Sequence, residues 1–140
     1  KVPLSIPEDY IPQDSLRMAL YRRLLRDLSI KDIDEMEKEL ADRFGPLPEE
    51  MKSLLNVTRL KAGLPHFGVE EMTVDANEIV LRGKDKGLLS LVGGKPGWMT
   101  RGDRAVGPGG IVGLKVLVKY MTSAFKSGRE MVEEWDRDAI

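Results

Sequence analysis

Few residues in this sequence could perform nucleophilic or metal chemistry. It contains one histidine, His66, and no cysteine. A cysteine nucleophile, a disulfide framework and a thiolate metal site are therefore excluded. A Ser-His-Asp triad would have to use His66, and a zinc site would need carboxylates for nearly every ligand, which structural zinc seldom uses. His66 lies in the connection Gly63-Leu64-Pro65-His66-Phe67-Gly68, so we interpret it as a structural residue.

Carboxylates are concentrated in one segment. Residues 31–50 contain eight acidic and three basic residues, and the central acids are Asp34, Glu35, Glu37, Glu39 and Asp42. Acid-base catalysis would need a carboxyl group in an apolar pocket that raises its pKa, and no pattern here isolates one in such a pocket. We interpret the segment as an acidic helix face that contacts solvent or a partner. Arg43 is expected to stabilise the last turn of that helix.

Two glycine-rich segments, residues 92–97 and 107–110, invite comparison with phosphate-binding loops. A P-loop requires Gly-Lys-Ser/Thr at the start of a helix, whereas Pro96 follows Lys95 here. The sequence also lacks Gly-x-Gly-x-x-Gly after a strand. We interpret both segments as turns and expect no cofactor to bind within this chain.

The composition is typical of a folded domain. The 140 residues are 41% hydrophobic and 32% charged, with 22 Lys+Arg against 23 Asp+Glu. This excludes a disordered chain and a protein that binds nucleic acid through its overall charge. No apolar run approaches the length of a membrane span, and the first residues do not resemble a signal peptide. We expect a monomeric cytoplasmic chain with no membrane partner and, because it begins at Lys1, a piece of a longer protein.

The N-terminal half of the sequence predicts the helices that position the acidic segment. Prolines at positions 3, 7 and 12 predict an extended arm over residues 1–13, either an edge strand or a strap. Leucines at every fourth position predict a helix from Asp14 to about Leu28. Ser29 and Asp32 form the pattern of a capping box for a second helix, which should end at Gly45. Pro48 should begin a third helix through about residue 62, which completes a helical hairpin.

The second half of the sequence predicts a sheet. Residues 69–75 and 78–82 read as a hairpin that turns at Ala76-Asn77, and residues 88–92 as a short helix or strand. The alternation of apolar residues from Ile111 to Tyr120 predicts a strand that closes the sheet. Apolar positions at Phe125, Met131, Val132 and Trp135 predict a terminal helix over residues 122–138.

Together these elements predict an α+β fold, in which a helical N-terminal half packs on a small, mainly antiparallel sheet with a C-terminal helix. We expect residues 1–140 to form a single domain. Its parts are the arm (1–13), a helical part (14–64), a sheet part (68–120) and the terminal helix (122–138).

The sequence resembles a known family, the C-terminal domain of the bacterial transcription-repair coupling factor, over almost its whole length and most strongly in the first 65 residues. The segments that carry the resemblance are Ile6-Pro7-x-x-Tyr10-Ile11-Pro12, Leu16-Arg17, Leu20-Tyr21-Arg22-Arg23, Leu54-Leu55 and, most specifically, Glu39-Leu40-Ala41-Asp42-Arg43-Phe44-Gly45-Pro46-Leu47-Pro48.

The resemblance implies a non-enzymatic domain of a longer translocase. That parent protein would recognise RNA polymerase stalled at damage on double-stranded DNA, displace it with ATP and Mg²⁺ bound in separate motor domains, and recruit UvrA. The domain would hold the parent in an autoinhibited state by covering its UvrA-binding module. The resemblance assigns Glu39, Asp42 and Arg43 to that intramolecular contact.

Two other readings of the residues remain open. A nucleic-acid-binding module could use the basic surface of residues 82–119, which contain eight basic and two acidic residues. Its candidates are Lys84, Lys86, Lys95, Arg101, Arg104, Lys115 and Lys119. An enzyme would need a carboxylate mechanism in a cleft that the sequence does not reveal.

Overall fold

A computed structural model describes the backbone of residues 4–138 and the side chains of residues 4–125. Within this range the chain forms five α-helices and one four-stranded sheet. The helices are α1 (Asp14–Leu24), α2 (Ile30–Phe44), α3 (Glu49–Gly63), α4 (Asp85–Val92) and α5 (Gly110–Asp138). The strands are β1 (Val69–Val74), β2 (Glu78–Gly83), β3 (Met99–Arg101) and β4 (Arg104–Pro108). A 3₁₀ turn, Leu64–Phe67, links α3 to β1. The predicted α+β fold is confirmed.

The N-terminal arm packs on the helices as a strap and, in the described residues, does not join the sheet. Ile6 and Ile11 are buried, and the Ile6 N–H donates to the Tyr21 hydroxyl over 2.8 Å. Arg17 donates to the carbonyl oxygens of Ile11 and Pro12 over 2.6 and 2.9 Å. Proline-rich backbone that cannot pair in a sheet is thus satisfied by side chains of α1. Residues 1–3 of the predicted arm lie outside the described residues.

The second helix begins and ends as predicted. The Asp32 N–H donates to Ser29 Oγ over 3.1 Å, and the Ser29 N–H donates to Asp32 Oδ2 over 3.0 Å, which completes the capping box. Gly45 ends the helix with a φ of +88°, a value that a side chain would strain. Ile33, Met36 and Leu40 are buried as predicted, whereas Phe44 is only partly buried.

The first helix is shorter than predicted. It ends at Leu24 instead of about Leu28, and the Arg26 N–H bonds to the Arg23 carbonyl oxygen in a tighter, 3₁₀-like turn. The residues from 25 to 28 make the connection to α2. Leu25, predicted to lie on the apolar stripe, is 87% exposed.

The sheet is entirely antiparallel, with the strand order β1-β2-β4-β3. The predicted hairpin between β1 and β2 is confirmed, and its turn is held by Asp75 Oδ1, which accepts from the N–H groups of Asn77 and Glu78 over 2.8 Å each. These two bonds lower the pKa of the Asp75 carboxyl group.

The predicted strand over residues 111–120 is wrong, because this segment is the first third of α5. Leu114, Leu117 and Met121 are buried at helical spacing, while Val112, predicted to share a sheet face with Leu114, is 71% exposed. The predicted terminal helix therefore begins at Gly110 and not at residue 122. Its apolar positions Met131, Val132 and Trp135 lie outside the described side chains.

The sheet is completed by two strands after α4 that the sequence did not predict. Of the segments that we interpreted as turns, residues 93–97 connect α4 to β3, whereas residues 107–108 end β4. Strands β3 and β4 form a hairpin through Gly102, whose φ is +59°. A side chain at Gly107 would meet the Trp98 ring at 2.2 Å, so glycine is required for the indole to pack on β4. A strand shortened and interrupted by glycine has little periodicity, which is why the sequence pattern did not reveal it.

The third helix joins two apolar clusters. Its first half contributes Met51 and Leu55 to a cluster with the arm, α1 and α2. Its second half contributes Val57 and Leu60 to a cluster with the sheet, α4 and α5. No helix in the described residues is long and apolar enough to cross a membrane.

Candidate partner-binding surface on the second helix

Glu39, Asp42 and Arg43, which we call the α2 surface, are all exposed on the last two turns of α2. Glu39 is three residues from Asp42 and four from Arg43, which places its side chain beside both of theirs on the helix. The structure therefore brings together the three residues that the sequence singled out. Whether they contact a partner stays a prediction.

Glu39 is placed between two guanidinium groups. Its Oε2 atom lies 3.5 Å from both Nη atoms of Arg23 on α1, and its Oε1 atom lies 4.0 Å from Arg43 Nη1. All three side chains are about half exposed. Exposed pairs with such long distances contribute under about 1 kcal/mol each. The three groups can thus exchange these contacts for a partner's at little cost.

Arg43 and Asp42 complete the surface. The guanidinium carbon of Arg43 lies 5.1 Å from the centre of the Phe44 ring, a cation–π geometry that limits where this long side chain can point. Among the described side chains no cation lies within ion-pairing distance of Asp42. Its carboxylate therefore remains available to a partner on this part of the chain.

The arm fixes the end of α2 that carries this surface. The Tyr10 hydroxyl group lies 2.8 Å from the Gly45 carbonyl oxygen and 3.2 Å from the Leu40 carbonyl oxygen, and it donates to them. Gly45 follows the last residue of α2, so no residue of the helix can donate to its carbonyl oxygen. The Tyr10 ring also packs at 5.8 Å from the Phe44 ring, and burial raises the pKa of Tyr10.

Part of the predicted acidic face is used inside the domain. Arg59 on α3 is 8% exposed; its Nε atom lies 2.9 Å from Asp34 Oδ1 and its Nη2 atom 2.9 Å from Glu37 Oε1. Its Nη1 atom donates to Asn56 Oδ1 over 3.0 Å. Asp34 and Glu37 thus hold α2 against α3 while their carboxylates remain about half exposed to solvent. Glu35 is exposed.

Sequence reasoning missed Arg23, Arg59 and Tyr10. For Arg59 a signal exists, since a charged residue stands within the apolar run of α3 while two acids three residues apart face it across the hairpin. No comparable local signal pairs Arg23 with Glu39 or Tyr10 with Gly45, because these contacts join distant parts of the chain.

The basic residues of the alternative reading are distributed over several elements. Lys86 lies on α4, Arg101 and Arg104 lie on β3 and β4, and Lys115 and Lys119 lie on α5. Lys115 Nζ pairs with Glu49 Oε2 at 2.9 Å, and Lys95 Nζ lies 5.2 Å from the centre of the Tyr120 ring. Nucleic-acid binding by these residues also stays a prediction.

His66 is exposed and packs edge-on against Phe125, with ring centres 5.6 Å apart. It lines an open groove of about 690 Å³ between the start of α2, the end of α3 and α5, whose other walls include Ser29, Lys31, Asp34 and Thr122. The described residues contain no group of three or more side chains placed to hold a metal ion.

Comparisons with known proteins identify the family to which these elements belong. The sequence model of the TRCF domain family matches residues 1–90. The transcription-repair-coupling factor of Haemophilus influenzae is 39% identical over 61 residues, which are 44% of this chain and 5% of that protein. The Escherichia coli transcription-repair-coupling factor is 26% identical over 99 residues, 71% of this chain and 8% of that protein. The chain thus spans less than a tenth of these relatives.

A solved structure shares the fold. The crystal structure of the C-terminal domain of a transcription-repair coupling factor aligns with a TM-score of 0.68 and 17% sequence identity, covering 90% of this chain and 89% of that one. The family match covers the arm, the helical hairpin with the α2 surface, and the first two strands. The resemblance inferred from the sequence is confirmed, and this chain belongs to the TRCF domain family.

Proposed function

We propose that this chain is the autoinhibitory, non-enzymatic interaction domain of a longer transcription-repair coupling factor. In the resting parent it covers the UvrA-binding module through Glu39, Asp42 and Arg43. The parent is an ATP-dependent DNA translocase whose motor domains, with their ATP and Mg²⁺, are separate from this domain. When the parent engages RNA polymerase stalled at damage on double-stranded DNA, the domain releases the module, which then binds UvrA in the cytoplasm.

The observation that carries the proposal is the loosely held Glu39 carboxylate between Arg23 and Arg43. Because Tyr10 already fixes the end of α2, the backbone that carries these side chains needs no reordering when a partner docks. Their existing pairs are long and half exposed, so little is lost when they change partners.

Charged contacts also suit an interface that must open. Charge complementarity contributes more to specificity and to the rate of association than to affinity. A contact through Glu39, Asp42 and Arg43 that covers the UvrA-binding module can therefore be specific without being permanent. A large apolar interface would resist release.

Charge reversal in the full-length parent tests this function. Glu39→Lys with Asp42→Lys should leave the domain folded, because neither side chain is buried. Leaving basic groups of the partner module unpaired should weaken the closed state by about 2–5 kcal/mol. The variant parent should bind UvrA without polymerase and hydrolyse ATP faster than the unmodified parent.

A matched control reverses two exposed acids on the sheet, Glu70→Lys with Glu78→Lys, which changes the charge equally at a distance from α2. The control should keep the resting behaviour. If the Glu39/Asp42 variant is folded yet neither UvrA binding nor ATPase rate changes, the assignment of the α2 surface to the mask is wrong.

A further inference from the structure

One face of the sheet is packed and the other is open. Ile79, Leu81 and Ala105 are buried against the cluster that contains α4 and α5. Because side chains alternate along a strand, their neighbours point to the opposite side. No described helix packs on that side, which we call the outer face.

The outer face carries a row of three arginines on adjacent strands, which we call the arginine row. Arg82 on β2 is opposite Arg104 on β4, and Arg104 is opposite Arg101 on β3. Like charges directly opposite each other destabilise a sheet, since their Cβ atoms are only about 4.5–5.5 Å apart. The fold accepts an unfavourable arrangement at this position.

The acids near the row neutralise only one end of it. Glu71 on β1, opposite Arg82, accepts from its Nε and Nη2 atoms over 3.0 and 2.7 Å. Among the described side chains, neither Arg101 nor Arg104 has an ion-pair partner within 4.0 Å, although Asp103 occupies the turn between them. Two adjacent guanidinium groups are thus available for carboxylates.

A second row runs beside the arginines. In register across the sheet lie Thr73, Val80, Val106 and Met99. Val80 and Val106 are partly exposed, and Met99 is 78% exposed. We call these residues the apolar row. Along each strand they lie two residues from the arginine row on the same face, so one ligand can contact both rows.

We propose that the outer face of the sheet is a docking site for an acidic segment of a partner protein. Carboxylates of that segment bind Arg101 and Arg104, whose planar guanidinium groups suit bidentate pairing, and an apolar side chain rests on Val80, Val106 and Met99. The partner's negative charge relieves the repulsion within the arginine row. The charged and apolar rows of this face therefore match a segment that is acidic and carries an apolar side chain.

A polypeptide fits this face better than a nucleic acid does. Sheets that bind single strands stack bases on aromatic side chains, and neither row contains an aromatic residue.

The outer face is distinct from the α2 surface. Helix α2 packs on α3, α3 packs on α5, and α5 packs on the inner side of β2 and β4. The two surfaces are therefore separated by helices, and the domain can hold a second partner whether or not the α2 surface is occupied. This inference does not depend on the proposed masking function.

The probe is an acidic peptide of about 12 residues, Glu-rich with two central leucines, titrated into the ¹⁵N-labelled 140-residue chain at low salt. Backbone amide signals of β2, β3 and β4 should shift. Arg101→Glu with Arg104→Glu should weaken binding at least about tenfold, because two attractive contacts become repulsive. Met99→Ser should weaken it about two- to fivefold, because it removes apolar contact.

The matched control is Lys86→Glu with Lys119→Glu, which changes the net charge equally on α4 and α5, the helices of the inner side. It should retain affinity within about threefold. The arginine variant should melt close to the unmodified chain, because the change at position 104 replaces repulsion from Arg82 by attraction, while the two substituted positions 101 and 104 still carry like charges. If it fails to fold, Arg104→Thr replaces it with the same expected direction.

Four results would overturn the proposal. They are an absence of peptide-induced shifts, an equal loss of affinity in the lysine control, tighter binding of a DNA duplex of about 20 base pairs through the same arginines, and self-association of the chain that the arginine variant abolishes.

Discussion

The guanidinium group of Arg23 lies 3.5 Å from the Glu39 carboxylate and so joins α1 to the exposed side of α2. The two residues are 16 positions apart in the sequence. This contact gives the Glu39-Leu40-Ala41-Asp42-Arg43 segment a neighbour outside its own helix, and it places a positive charge beside the surface proposed to contact a partner.

The ion pair between Arg23 and Glu39 should contribute little to folding. Both side chains are nearly half exposed, so water screens their attraction. In a double-mutant cycle of Arg23→Gln and Glu39→Gln, measured by urea denaturation, we expect a coupling free energy under about 1 kcal/mol. A coupling above about 2 kcal/mol would mean that Glu39 is committed to the fold and is a poor candidate for partner binding.

Arg59 should contribute much more to the free energy of unfolding than the ion pair between Arg23 and Glu39 does. Arg59→Ala removes hydrogen bonds to two carboxylates and to Asn56 from a nearly buried position, and we expect a loss of about 2–3 kcal/mol in the free energy of unfolding. The carboxylates of Asp34 and Glu37 are 54% and 41% exposed, so water limits the cost. Lys61→Ala, at an exposed position of the same helix, should change stability by less than about 0.5 kcal/mol. Equal effects of the two substitutions would contradict the structural role of Arg59.

Tyr10 should make stability depend on pH in the alkaline range. Burial raises its pKa above the ordinary value of 10.0, so the folded chain keeps the hydroxyl proton more tightly than the unfolded chain does. Its contribution is complete below that ordinary value and is lost as the pH rises through the higher folded value. Tyr10→Phe should remove this part of the decrease in the free energy of unfolding at alkaline pH. The free energy of unfolding, measured from about pH 9 to 11 for the unmodified chain and for Tyr10→Phe, checks this prediction. The same dependence on pH in both proteins would contradict it.

The capping box should make α2 sensitive to acid. Hydrogen bonds from the Ser29 backbone and side chain lower the pKa of Asp32 below its ordinary value of 3.8. Its contribution is therefore present above that value and is lost as the pH falls through the lower folded value. Ser29→Ala should cost about 1 kcal/mol near neutral pH and less in acid, while Ser90→Ala, an exposed serine in α4, should show no such pH dependence. A constant cost of Ser29→Ala across this range would be the contrary result.

Local chemistry was sufficient for the helical half and for its exposed motif. The ends of the helices are marked by Ser29 with Asp32, by Gly45 and by Pro48. The hydrogen bonds at these ends join residues no more than four positions apart, so the local sequence is enough to predict them. The same holds for the turn at Asp75 and Asn77. Glu39, Asp42 and Arg43 could be placed together because a helix sets their spacing.

Tertiary structure decided what local patterns left ambiguous. From Ile111 to Tyr120 the apolar residues fit a strand and a helix alike, and burial of Leu114 and Leu117 against α3 and the sheet selected the helix. The ion pairs of Arg59 with Asp34 and Glu37, and of Arg23 with Glu39, form only because separate helices pack against each other. The arginine row exists only in the register of three strands, two of them in glycine-rich sequence. A sequence pattern reports periodicity along one element, whereas pairing energies between elements depend on which of them become neighbours in space.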